Sequence, residues 1–190
     1  MYSLLKLFLL WIFCVAFAQV ALSAEQPATS AERLAQAAGN GDVAALQELL
    51  GQVNPNVRDI HGETALVHAV RNGRAEPVRQ LLAAGAQANR QTAQGMTLLG
   101  LAVLNGDEDI ARALLAAGAR PDERSADGNT ALHYAASLGR LPLAERLLAD
   151  GADANAQGAG GARALALAQK AGAHEVAKLL LEHGATSSAD

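Results

Sequence analysis

The chain of 190 residues reads as an all-α solenoid, about five stacked helix–turn–helix units with projecting β-hairpin loops. Three observations predict this. "GETALVHAV" opens at Gly62, "GMTLLGLAV" at Gly95, "GNTALHYAA" at Gly128 and "GARALALAQ" at Gly161, 33 residues apart each time. A second ladder keeps the same step: Leu-Leu or Leu-Glu segments running into Gly85, Gly118, Gly151 and Gly184 start at Leu81, Leu114, Leu147 and Leu180. Self-similarity at such a period is the signature of a repeat architecture. Third, aromatics are 3% of the chain and all but Tyr134 precede residue 20. A core of Leu, Val, Ile and Ala suits closely packed helices.

The elements follow in order. Residues 1–24 carry Lys6, an unbroken apolar run from Leu7 to Ala18, then small residues at Ala16-Phe17-Ala18 and Leu22-Ser23-Ala24. The run is short for a membrane span. The layout is that of a secretory signal peptide, cleaved after Ala24 or, as the alternative, after Ala18. An uncleaved anchor is the competing reading. Phe13 directly before Cys14 argues against lipidation. The repeat domain is expected over 25–190, in units at about 29–58, 59–91, 92–124, 125–157 and 158–186. In the first unit, Thr29 and Glu32 have capping-box spacing. In the next three, a glycine turn leads to Thr64, Thr97 or Thr130, each placed to cap a short apolar helix. That helix runs to about Arg71, Asn105 or Leu138, and Gly73, Gly106 or Gly139 ends it. Pro77 and Pro142 sit near the start of a second helix, where a missing N–H matters little. Gly85, Gly118, Gly151 and Gly184 end the second helices. Polar stretches such as "ARPDERSADG" then form the loops.

A unit of 33 residues with two helices and this turn resembles the ankyrin repeat. The family's Thr-Pro-Leu-His tetrapeptide stands here as "TALH" at 130–133, and in degraded form as "TALV" at 64–67, "TLLG" at 97–100 and "RALA" at 163–166. Its Gly-Ala-Asp-x-Asn helix ending matches Gly151-Ala152-Asp153-Ala154-Asn155. The resemblance covers about residues 29–186. It implies that Thr130 caps its helix, and that His133 is a structural, partly buried histidine bonded to the turn and to the neighbouring unit. Terminal units are expected to deviate, because one face of each meets water.

The residues themselves argue against other chemistry. His61, His68, His133, His174 and His183 show no zinc-hydrolase spacing. "GAGGARA" lacks the lysine a phosphate-binding loop needs. No perturbed groups are seen to converge on a pocket. No enzyme activity, cofactor or metal is therefore expected. The formal charge of −4 becomes −5 once Lys6 leaves with the signal. An acidic chain with one aromatic offers neither a phosphate-binding surface nor a base-stacking platform, so nucleic acid is not an expected partner. Cys14 also leaves, so no disulfide holds the fold.

The surface expected to function is the concave face made by first helices and loop tips. Its candidate partner-binding residues are Arg58, Ile60, His61, His68, Arg90, Leu101, Leu104, Arg124, Tyr134 and Leu138. Tyr134 is expected to face solvent there as an anchor. Leu101 and Leu167 are read equally well as packing between units. The expectation is an exported, monomeric protein, periplasmic in a bacterium or else secreted. It would bind another protein and not a membrane after signal cleavage. Two alternatives use the same face: an inhibitor or immunity-type protein masking a toxic enzyme, and a secreted effector.

Overall fold

A computed structural model describes residues 28–186. The expected signal peptide lies outside the described residues. Five helix pairs follow one another: α1 (Ser30–Asn40) with α2 (Val43–Leu50), α3 (Ala65–Arg71) with α4 (Ala75–Ala83), α5 (Leu98–Asn105) with α6 (Glu108–Ala116), α7 (Ala131–Ser137) with α8 (Leu141–Ala149), and α9 (Ala164–Ala171) with α10 (His174–Glu182). A 3-10 turn at Ala159–Gly161 fills the last loop. The odd-numbered helices pack on one another in sequence, and so do the even-numbered ones, giving two parallel rows. No described helix is long and apolar enough to cross a membrane.

The leucine ladders form the core between the rows. Leu34, Leu66, Leu99, Leu132 and Leu165 of the first helices are buried, as are Leu49, Leu81, Leu114, Leu147 and Leu180 of the second. Each such leucine is worth about 1.5–3 kcal/mol by its removal from water. Alanines beside them, such as Ala38, Ala69, Ala102, Ala135 and Ala168, are fully buried and allow the close approach of the helices. At the end of the array this pattern changes. Gln169 stands exposed where Ala136 is buried one unit earlier, and Leu181 is 56% exposed where its counterpart Leu148 is 8%. Both meet solvent because no described unit follows.

The caps differ from one another more than the sequence pattern suggests. Thr29 and Glu32 form the expected capping box, with Thr29 N–H donating to the Glu32 carboxylate at 2.7 Å. Thr97 caps α5 by accepting from Gly100 N–H at 3.1 Å. Thr64 does not cap α3: its buried hydroxyl has no hydrogen-bond partner, contrary to expectation. The loops also fall short of strand-paired hairpins. Single antiparallel bridges join Arg58 to Thr64, Gln91 to Thr97 and Gln157 to Arg163, with no strand among the described residues.

Side chains tie each unit to the next. Asn56, Asn89 and Asn155 donate to the carbonyls of Gly85, Gly118 and Gly184 at 2.9–3.0 Å and accept an N–H two residues beyond each glycine. At the other end of the first helices, Asn72 donates to Gly39 O at 3.0 Å and Asn105 to Val70 O at 3.2 Å.

Candidate partner-binding surface

The first helices and loop tips line one long face, and the candidate residues divide on it by what they already bond to. Tyr134 is not a solvent-facing anchor. It is 8% exposed, and its hydroxyl donates to both oxygens of Asp127 at 2.8 Å. Burial, reinforced by the neighbouring Asp127 carboxylate, pushes the phenol up to about 12. The ring lies over Gly100 of the preceding unit: a Cβ there would meet Tyr134 Cε2 at 3.0 Å. The spacing placed Tyr134 on the right face. It could not show that Gly100 leaves a seat for the ring, or that the loop supplies an acid.

Arg58 and Arg124 are exposed at the rim but bonded to carbonyls. Arg58 donates to Gly62 O at 3.1 Å. Arg124 donates to Gly128 O at 3.0 Å and to Gln157 O of the next unit. Both therefore close loops. Arg90 is half-buried, with its Nε lacking a partner. Leu101 and Leu104 are half-buried and pack on the core. Ile60 at its loop tip is 75% exposed, Leu138 is 48% exposed, and His61 is exposed. These three are the candidates left open to solvent.

His68 belongs to a network that the sequence analysis missed. Its Nε2 lies 2.7 Å from Asp59 Oδ2. Asp59 also accepts the N–H groups of His61 and Glu63, each at 2.9 Å. Burial alone would raise the Asp59 pKa; the Glu63 N–H, His68 and the His61 N–H outweigh it and hold the carboxyl below its usual range. Glu63 receives both terminal nitrogens of Arg71, at 2.5 and 2.6 Å, and Ala93 N–H of the next unit at 3.0 Å. The Arg71 guanidinium is the main reason the Glu63 carboxyl is held low. The one available signal was the rarity of an acid, Glu63, immediately before a capping threonine; the other units place Met96, Asn129 and Ala162 there.

His133 behaves as the resemblance implies. It is 1% exposed. Its Nδ1 accepts from Thr130, whose hydroxyl is 2.8 Å away, and its Nε2–H donates to Ala162 O of the next unit at 3.1 Å. Burial pushes its pKa down. The ring passes so close to Gly158 that a Cβ there would lie 2.6 Å from it.

Stacked helix pairs, bridged loops and a structural Thr–His pair define a helical repeat protein of the interaction-module class. The family model for ankyrin repeats (3 copies) matches residues 34–125 and 117–189, and the chain belongs to the ankyrin-repeat family. Ankyrin repeats are generally protein–protein interaction modules and are typically non-enzymatic. No curated protein matches the chain.

Proposed function

We propose that this chain is an exported, non-enzymatic binding protein that holds a partner protein on the face lined by its first helices and loop tips. The observation that carries this reading is Leu138. At the equivalent position one and two units earlier stand Asn105 and Asn72, whose amides clamp the preceding unit. Leu138 gives up that clamp and exposes 48% of its surface. An apolar side chain that faces water where a structural bond is available is better suited to a partner than to the fold. Half-buried Leu104 and exposed Ile60 extend the apolar content of the face.

Leu138→Asn tests this. The asparagine restores the clamp found in earlier units, so stability should hold or rise by about 0.5–1 kcal/mol. Capture of a partner from the exporting cell's envelope fraction should fall at least tenfold. A stable Leu138→Asn protein that captures the same partner equally well would overturn the reading. Export rests on the layout of residues 1–24; mass spectrometry of the protein from that fraction should give an N-terminus at Glu25 or Gln19.

A further inference from the structure

A groove of about 610 Å³ opens between the second and third units, lined by His61, Glu63, His68, Arg71, Ala93 and Gln94. Its chemistry is one-sided. The side chains of Asp59 and Glu63 are only 4% exposed and already accept hydrogen bonds from Arg71, His68 and backbone N–H groups. The acids thus form a covered floor. What reaches solvent is the Arg71 guanidinium, 37% exposed, with exposed His61 and Gln94 on the rim. The pairing with Glu63 occupies one N–H on each terminal nitrogen of Arg71. The remaining guanidinium N–H groups stay available, in a planar array that suits carboxylate oxygens.

We infer that this groove is a specificity pocket that receives the carboxylate side chain of an Asp or Glu in the partner protein. The inference rests on the reading of the face as a partner surface. It names which part of the partner the second unit selects. The fit comes from complementarity: donors exposed, acceptors covered, and a guanidinium pre-oriented by its bond to Glu63. A ligand that offers acceptors and negative charge fits. A cationic side chain would meet the guanidinium and find no accessible carboxylate. An apolar side chain would leave those donors unsatisfied, which is unfavourable.

The test uses hexaglutamate as probe on the full-length chain, with hexaglutamine and hexalysine as controls, followed by backbone amide NMR. Hexaglutamate should shift the amides around His61, Ala93 and Gln94 and bind at least tenfold tighter than either control. His61→Ala, at an exposed position, should weaken binding about threefold with an unchanged melting temperature. Arg71→Gln alone leaves Glu63 buried and unpaired, so the paired variant Glu63→Gln with Arg71→Gln is used; it should weaken binding at least tenfold. Equal binding of hexaglutamate and hexaglutamine, shifts confined to another surface, or indifference to these substitutions would overturn the inference. Those failures would leave the Leu138 result untouched, because that variant reports on the face as a whole.

Discussion

Tyr134 and His133 are neighbours on one helix, and both are anchored by bonds that leave their own turn of helix. The phenol of Tyr134 clips the loop through Asp127 while its ring covers Gly100 of the unit before. Truncating it therefore removes packing as well as a hydrogen bond. Tyr134→Ala should cost about 3 kcal/mol of stability, as buried aromatic truncations do, measured by urea unfolding. His133 gives a pH signature. Its pKa in the folded chain lies below the unfolded value because burial opposes its charge. Its contribution is thus fully present above about pH 6.5 and is lost as pH falls through the folded value. The melting temperature of the wild type should drop more between about pH 7 and 5 than that of His133→Asn. Equal slopes would show that His133 does not titrate on unfolding.

At the scale of the element, the loop ladder has one odd rung. Asn56, Asn89 and Asn155 each donate one hydrogen bond to the next unit and accept another. Asp122 occupies the same position between the third and fourth units. It accepts from Asp153 N–H at 2.9 Å but has no amide to offer Gly151 O. Asp122→Asn should restore the missing bond and raise stability by about 0.5–1.5 kcal/mol. A lower or unchanged unfolding midpoint would refute this. The period of 33 made every helix, its glycine stop and the buried leucine ladder legible from the sequence. It did not make the bonds at each rung legible. Thr64 and Thr97 look equivalent in the pattern, yet only Thr97 caps its helix. The N–H of Thr97 is also received by Ser125 Oγ of the next unit at 3.1 Å, a contact across 28 residues. The Asp59–His68 and Asp127–Tyr134 pairs were hidden for a similar reason. The two acids come from different positions of their loops, so no repeat-to-repeat comparison lines them up.

At the scale of the molecule, each unit leans on its neighbours alone, so stability is a sum of unit terms and junction terms. The junctions are not identical. The first two carry both kinds of asparagine clamp. The third has Asp122 and Leu138 in their places, and Tyr134 over Gly100 spans that same junction. Tyr134 has a spectroscopic consequence. In a chain beginning at Glu25, it is the sole aromatic side chain. Its fluorescence then reports the fourth unit and nothing else, while far-ultraviolet circular dichroism reports all ten helices among the described residues. The two signals should trace one unfolding curve if five units melt together. Circular dichroism falling ahead of the tyrosine signal would mean that outer units peel away while the third junction still holds. The chain thus carries a single native dye, fixed at the junction where its polar clamps are fewest.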